Sequence, residues 1–394
     1  RHSTVCSDVA RRFPAIMRID VFYMRNISQL TATKRLMRNP RLLWSALRRR
    51  AREALPLDVW LGNGRAWLPS RISVDVTYAC NAKCVTCCQR GEDTQFEPKP
   101  PDRTLALAPE VLAKAIAEMR AWRPTVYLTG GEPLLHPELE RMIAGIKSAG
   151  LYCSLNTNGI LLSDRARELL DAGVDKVIVS VEPTAETQAA NRGIPLETIR
   201  AGLATLRSQG QGPEIALNCV ITPKNWRVLE GLAAIAQELG VLNVSLQHFM
   251  FSDRTSIAAH RAILIGFGEP NACYGNTIMG TAEMDAATIR QELARLRASG
   301  LKLRIDPPVP EERLRDYYAG VQRRIPGQCL APWTTAAILP DGSISLCRPL
   351  RLGIIGQDRI RDVWNGGKAR RFRSALLKQG PMPGCARCCS RQYN

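Results

Sequence analysis

The chain has 394 residues, of which 45% are hydrophobic, with a formal net charge of +18 and 13 cysteines. This length predicts one large domain with smaller additions and a core that needs no disulfide bonds. No apolar run approaches the roughly 18 residues of a membrane helix, and no cleavable signal peptide is visible. An odd number of cysteines is unusual in a secreted disulfide framework but common among reduced thiols or metal ligands, so we expect a cytoplasmic protein.

The positive charge is concentrated before the first predicted strand. Residues 1–71 contain 15 Lys/Arg and four acids, so 15 − 4 = +11 of the total charge of +18 lies there. Asn39-Pro40 predicts the start of a basic amphipathic helix. Such a helix either packs on the main domain or lies on an anionic membrane surface, which would place the protein at a membrane periphery. We assign residues 1–70 to a basic helical extension.

Strands and helices alternate from residue 71 onward. Strands are predicted at 71–76, 125–130, 151–156, 176–182, 214–221 and 242–247, and an extended segment at 301–306. Helices are predicted at 109–122, 137–149, 163–173, 196–209, 225–240 and 282–300, with a long loop after the sixth strand. Six strand–helix alternations indicate an α/β fold with a parallel sheet, closed or nearly closed into a barrel. Reactive groups in such a sheet lie in the loops after the strands.

Three cysteines follow the first predicted strand, in the pattern CxxxCxxC. They are Cys80, Cys84 and Cys87. Three thiolates cannot complete a tetrahedral zinc site, but they can bind three irons of a [4Fe–4S] cluster. The fourth iron would then stay open to a small-molecule ligand.

The cysteine pattern and the turn Gly130-Gly131-Glu132-Pro133, which follows the second strand, resemble the radical S-adenosylmethionine (radical SAM) enzymes over residues 71–306. The resemblance implies a partial (β/α)6 TIM-like barrel, which we place at 71–310. It also implies that the open iron binds S-adenosylmethionine (SAM), which is cleaved reductively to a 5′-deoxyadenosyl radical that abstracts a substrate hydrogen atom. The electron would come from an external flavodoxin- or ferredoxin-type donor. Thr86 departs from the family, which usually has an aromatic residue there.

The resemblance implies further SAM contacts at the ends of the later strands. Glu132 would face the ammonium group, Arg192 the carboxylate, and the segment around Ile221 the adenine. For Asn225 the alternative is a cap of the next helix. The implied cofactor-binding residues are Gly130, Gly131, Glu132, Pro133, Asn156, Asn158, Ser180, Glu182, Arg192, Ile221 and Asn225.

A second set of cysteines lies in the C-terminal region, around a hairpin whose turn is predicted at 340–342. It consists of Cys329, Cys347, Cys385 and Cys388. Their spacing resembles the SPASM/twitch extension of radical SAM enzymes, which implies an auxiliary [4Fe–4S] cluster with four cysteine ligands in a domain at 325–394. The alternative is a structural zinc ribbon with four thiolates.

The reaction is open at this point. An auxiliary cluster that accepts an electron would give net oxidation, whereas a thiol hydrogen donor would give epimerisation. Cys273, in the predicted long loop, is the best-placed donor. Gln247 and His248 end the sixth strand and are the expected substrate-facing pair, with His248 as a base. A structural histidine is the alternative.

The substrate is also open. Residues 1–70 show no clear winged-helix pattern of a peptide leader-binding domain, which favours a small-molecule, carbohydrate-like or lipid-linked substrate. Modification of a ribosomally made peptide is the alternative. A zinc-ribbon protein that binds nucleic acid is a remote alternative. Aromatics are only 6% of the chain and the basic excess avoids the cysteines, so nucleic acid is not expected as a partner.

Overall fold

The centre of the molecule is a parallel sheet whose strands follow one another in chain order. The structure is a computed structural model, and it describes residues 57–60, 62–87, 104–210, 212–269 and 283–393. The parallel strands are β1 (Arg71–Thr77), β2 (Thr125–Gly130), β3 (Tyr152–Thr157), β4 (Lys176–Ser180), β5 (Glu214–Val220), β6 (Asn243–Gln247) and β7 (Lys302–Asp306). The predicted α/β class is confirmed, and the extended segment at 301–306 is a seventh strand.

Helices connect the strands and follow the sheet. They are α1 (Leu57–Trp60), α2 (Pro109–Met119), α3 (Leu139–Ser148), α4 (Leu162–Ala172), α5 (Ala185–Arg192), α6 (Leu196–Ser208), α7 (Gly231–Glu238), α8 (Arg254–Ile265), α9 (Ala286–Ala298), α10 (Leu314–Tyr318), α11 (Ala331–Thr334), α12 (Ile360–Trp364) and α13 (Gly367–Gln379). Short 3₁₀ turns occur at Pro133–Leu135, Glu311–Arg313 and Pro383–Cys385. Among all these helices, none in the described ranges is long and apolar enough to cross a membrane.

The two faces of the sheet differ in polarity because side chains alternate along each strand. One face is apolar and buried against the helices in a single core. The other face carries polar residues in register. One row across β1–β5 is Ser73, Tyr127, Ser154, Lys176 and Glu214, and another across β4–β7 is Ser180, Asn218, Ser245 and Arg304. Most of these side chains stay partly accessible. The sheet therefore offers a polar surface to a ligand.

The C-terminal hairpin extends the same sheet. Its strands are β9 (Thr335–Ile338), β10 (Ser343–Cys347) and β11 (Leu350–Ile354). Strand β9 pairs in parallel with β1, and β10 and β11 continue antiparallel, so the sheet has ten strands in all. A separate antiparallel pair joins β8 (Gly327–Cys329) to β12 (Arg391–Tyr393). The predicted hairpin is confirmed, and it is continuous with the barrel sheet.

Two predicted segments differ from the structure. The predicted long loop after the sixth strand contains α8, whose first turn is capped by the Asp253 carboxylate, which accepts a bond from the Ser256 amide at 2.6 Å. The helix predicted at 225–240 begins only at Gly231, because the Asn225 side chain closes a turn with the Thr222 amide at 2.7 Å. The predicted basic helix near Pro40 lies outside the described residues.

A buried ion pair joins β1 to the hairpin. Asp75, on β1, is fully buried, and both its oxygens accept hydrogen bonds from the Arg348 guanidinium, which directly follows β10; one of the two measures 2.9 Å. The Arg348 side chain is 44% exposed. Removal of one partner from such a pair leaves the other charge without compensation in a poorly solvated place.

We predict that Arg348→Met lowers the free energy of unfolding by about 2 kcal/mol, a value reduced from that of a fully buried pair because Arg348 is partly solvated. The double variant Asp75→Asn/Arg348→Met should recover most of the loss, because no charge is then left unpaired. Denaturant titration of the reconstituted protein measures both. Arg167→Met, which breaks an exposed pair with Asp171, is the control. A loss in the double variant equal to the sum of the losses in Asp75→Asn and Arg348→Met would contradict the prediction.

Candidate active site

The cysteine loop after β1 and the glycine turn after β2 are in direct backbone contact. The Gly131 amide donates to the Thr77 carbonyl and the Glu132 amide to the Ala79 carbonyl, both at 2.7 Å. A Cβ atom on Gly131 would lie 2.1 Å from the Ala79 carbonyl oxygen, and Gly130 has a φ of +134°. Only glycine fits at both positions. The glycine turn thus sets the start of the loop that carries Cys80.

The Glu132 carboxylate joins the end of β2 to the end of β3. It is 1% exposed and accepts hydrogen bonds from the Leu134 amide (3.0 Å), the Thr157 hydroxyl (2.8 Å) and the Asn158 amide (2.7 Å). Burial raises its pKa to about 7, against the opposing effect of these hydrogen bonds. Pro133, which follows it, opens a 3₁₀ turn. The predicted contact of Glu132 with a ligand ammonium group stays a prediction.

Asn158 connects β3 to the cysteine loop. Its side-chain Nδ2 donates to the side-chain oxygen Oδ1 of Asn81 at 2.9 Å and lies 4.0 Å from the Cys80 sulfur. Asn156 lies two residues earlier, half-buried on the polar face. The predicted contacts of Asn156 and Asn158 with the cofactor stay predictions. Asn81 and Thr157 were not singled out from the sequence, since neither belongs to the motif spacing.

A buried hydrogen-bond network follows β4. The Glu182 carboxylate, 2% exposed, accepts from Arg192 Nε (2.7 Å), Asn191 Nδ2 (3.0 Å) and Asn225 Nδ2 (2.6 Å). Asn225 also donates to the Val220 carbonyl at 2.8 Å. Because its side chain is committed to these partners, Asn225 braces β4 against β5, and the alternative in which it caps the next helix is wrong.

The same network reaches the cysteine loop. The Val85 amide donates to the Asn191 carbonyl at 2.9 Å, which places the neighbouring Arg192 beside Cys84. Burial raises the pKa of Cys84 to about 11, and the positive charge of Arg192 acts in the opposite direction. Arg192 is thus placed next to Cys84, a predicted cluster ligand, and is paired with Glu182.

The remaining predicted residues occupy different environments. Ser180 ends β4 on the polar face, and Ile221 is fully buried after β5. Gln247 ends β6 and is half-buried. Cys273 lies outside the described residues.

His248 is fully buried beside the end of β6. Its Nδ1 lies 2.7 Å from the Tyr318 hydroxyl, and burial lowers its pKa to about 3. These surroundings keep the imidazole neutral and hold it in place, as expected for the structural alternative. Its role as a base stays a prediction.

The four auxiliary cysteines come from three chain segments. Cys329 ends β8, Cys347 ends β10, and Cys385 and Cys388 lie in the 3₁₀ turn near the C-terminus and just after it. Burial, with neighbouring thiols as the second cause, raises the pKa of Cys329, Cys347 and Cys385 to about 12. Cys389, which the sequence left without a role, acts electrostatically on Cys329 and Cys347, so it lies beside the set.

Both cysteine sets suit iron–sulfur clusters. Tetrahedral zinc, with Zn–S bonds of about 2.3 Å, needs thiolates roughly 4 Å apart. In the described ranges no three His, Cys, Asp or Glu side chains converge on a position for one metal ion. Thiolates that bind a cubane are held by separate irons, so they need not meet at one position.

Two family models match the chain. The radical SAM superfamily model matches residues 74–236, and the SPASM model, an iron-sulfur cluster-binding domain, matches residues 329–389. The chain is therefore a radical SAM protein with a C-terminal SPASM domain. The cofactors of this class are a SAM-binding [4Fe–4S] cluster, an auxiliary cluster and SAM.

Relatives and solved structures agree with this assignment. The chain is 26% identical to PqqA peptide cyclase of Xanthomonas campestris pv. campestris (strain 8004), over 80% of this chain and 79% of that protein. It is 36% identical to GTP 3′,8-cyclase of Acidothermus cellulolyticus, over 43% of this chain and 48% of that protein. The fold resembles Streptococcus suis SuiB bound to precursor peptide SuiA, with a TM-score of 0.57 and 13% identity, covering 93% of this chain and 83% of that one.

We predict that Gly131→Ala displaces the cysteine loop, because its Cβ would overlap the Ala79 carbonyl. Iron should fall from about eight to about four atoms per chain as the SAM-binding cluster is lost. Iron analysis after anaerobic reconstitution measures this. Gly145→Ala, whose Cβ would meet its nearest atom at an ordinary 3.6 Å, is the matched control. Full iron content in Gly131→Ala would contradict the prediction.

A second prediction concerns the pH dependence of stability. The folded-state pKa of Glu132, about 7, lies above its ordinary value of 4.5, so its contribution to stability is complete below pH 4.5 and is lost as the pH rises through about 7. Glu132→Gln removes this titration. As the pH rises from about 5 to about 8, the wild-type protein should therefore lose up to about 3 kcal/mol of unfolding free energy relative to Glu132→Gln. A constant difference in unfolding free energy between the two proteins across this pH range would contradict the prediction.

Proposed function

We propose that this radical SAM enzyme modifies a peptide, by reactions that begin with removal of a hydrogen atom from it. The observation that carries the proposal is the length of the similarity to PqqA peptide cyclase, which extends over about four-fifths of both chains. The similarity to GTP 3′,8-cyclase covers only 43% of this chain. The peptide alternative therefore replaces the small-molecule, carbohydrate-like or lipid-linked substrate that the sequence pattern of residues 1–70 favoured.

The polar face of the sheet supports this substrate class. A peptide main chain carries a donor and an acceptor in nearly every residue, and these need partners wherever water is displaced. The row that includes Asn218 and Ser245 crosses the sheet level with Ser180, where β4 ends, and supplies such partners. Ser180 and Gln247, at the ends of β4 and β6, are the candidate residues that orient the reacting segment.

The residues of this chain divide the work as follows. When bound, the three-cysteine cluster and SAM supply the radical that takes a hydrogen atom from the substrate. Gly131 and Asn158 hold the cysteine loop against β2 and β3. Glu182, through Asn191 and Arg192, holds it from the β4 side. An external flavodoxin- or ferredoxin-type protein is the proposed electron donor.

We further propose net oxidation as the outcome. Four thiolates leave an auxiliary cluster no open iron, which suits electron transfer better than substrate binding. Epimerisation is the second candidate, with Cys273 as its hydrogen donor. Reaction in deuterated solvent separates the two outcomes. Loss of two hydrogens without solvent deuterium supports oxidation, whereas uptake of one deuterium that Cys273→Ala abolishes supports epimerisation.

The substrate class is tested with extracts of the native host. The reconstituted enzyme, SAM and reductant are mixed with a size-fractionated extract, and 5′-deoxyadenosine is measured. A stimulation that protease treatment of the extract destroys would support a peptide substrate. A stimulation that survives protease and passes into the low-mass filtrate would refute it.

We predict different losses for the two cysteine sets. Cys84→Ala should abolish SAM cleavage, because the open cluster needs all three thiolates. Cys388→Ala should still cleave SAM but fail to form product, because only the auxiliary cluster is lost. Each variant should retain about four of about eight irons. SAM cleavage by Cys84→Ala, or product formation by Cys388→Ala, would contradict the assignment.

A further inference from the structure

A fully buried arginine lies within the auxiliary cysteine motif. Arg387 stands between Cys385 and Cys388 and has no exposed surface. Its guanidinium donates only to main-chain carbonyls, those of Tyr317 (2.6 Å), Gly320 (2.6 Å), Asp316 (2.8 Å), Ala386 (3.0 Å) and Arg323 (3.0 Å). It also stacks over the Tyr317 ring at 5.2 Å. The donors are well paired, but no partner in this set carries a full negative charge.

A second arginine has a similar arrangement close by, and its guanidinium shares the Ala386 carbonyl with Arg387. Arg391 is 8% exposed and lies directly opposite Cys329 in the β8–β12 pair. Its amide donates to the Cys388 carbonyl at 3.1 Å. Its guanidinium donates to the carbonyls of Ala386 and Ile325, and its Nε is buried without a partner. Cys329 and Cys388 are thus neighbours of a second buried cation.

A neighbouring acid compensates these charges only in part, because Asp316 acts on Arg387 electrostatically but forms no ion pair with it. Asp316, whose carbonyl accepts from Arg387, directs its carboxylate to Arg313 at 3.7 Å. In the part of the chain that the structure describes, neither Arg387 nor Arg391 forms an ion pair with a carboxylate. By contrast, Arg348 beside Cys347 is neutralised by Asp75. A buried cation without a counter-charge is costly, and an anion bound at the adjacent cysteines would offset that cost.

We propose that Arg387 and Arg391 are the resident counter-charges of the auxiliary cluster and that they set its reduction potential. Four thiolates give a bound cluster a net negative charge, and one-electron reduction makes it more negative. Two buried cations beside its ligands favour the reduced state, because charges interact strongly where water is excluded. Both are positioning residues, and the proposal holds whichever substrate the enzyme modifies.

The chain offers a matched control. Arg373, on α13, is also fully buried and also donates only to carbonyls, those of Pro332, Gly64 and Trp364. It belongs to neither cysteine motif. Loss of its charge should cost stability as in any buried arginine, without an effect on the cluster.

The test is a redox titration of the auxiliary cluster, followed by electron paramagnetic resonance in the full-length reconstituted protein. The triple variant Cys80→Ala/Cys84→Ala/Cys87→Ala is the background, since it leaves only the auxiliary signal. Arg387→Gln and Arg391→Gln should each shift the potential downward, and the double variant further. Arg387→Lys and Arg391→Lys should stay near the parent value because they keep the charge. Arg373→Gln should lose stability without a shift.

Two results would overturn the proposal. One is an unchanged potential in both glutamine variants at full iron content. The other is an equal shift in the lysine and glutamine variants, which would assign the effect to lost hydrogen bonds. If Arg387→Gln fails to retain iron, the proposal is tested on Arg391 alone. An unchanged potential in Arg391→Gln, or an equal shift in Arg391→Gln and Arg391→Lys, would then overturn it.

Discussion

The contact between the glycine turn and the cysteine loop is the constraint on which the rest of the site depends. The two backbones approach so closely that a methyl group on Gly131 would overlap the Ala79 carbonyl. This contact places the first cysteine at the carboxyl ends of β1 and β2, where polar groups of the later strands can reach it. Glu132, Asn158 and the Glu182 network then brace the loop from β2, β3 and β4 in turn.

The auxiliary domain is joined to this frame through the sheet itself. Strand β9 pairs with β1, and Arg348, which follows β10, forms an ion pair with buried Asp75 on β1. Strand β1, which leads into the loop with Cys80, therefore also supports the hairpin that carries Cys347.

Several site residues follow from pattern, and others do not. The thiols and the glycine turn are found from spacing, because cluster ligation and close backbone approach demand particular residue types at particular intervals. Asp75 is harder to identify from the sequence, because its only distinguishing feature is that it is a charged residue within a predicted apolar strand. Asn191 and Arg387 gave no signal, because their importance comes from carbonyls and carboxylates that are remote in the chain. Helix α8 was missed although Asp253 is a recognisable cap.

The sequence by itself determined the class of enzyme and its α/β fold, and it predicted the seven cluster cysteines, because these depend on local spacing and on side-chain periodicity. Only the tertiary structure decided that Glu132 and Glu182 brace the cysteine loop, that the C-terminal hairpin extends the barrel sheet, and that two buried arginines, without a carboxylate partner among the described residues, lie close to the auxiliary cysteines. Such features depend on contacts between segments that lie far apart in the chain, and no local pattern encodes which buried charges become partners.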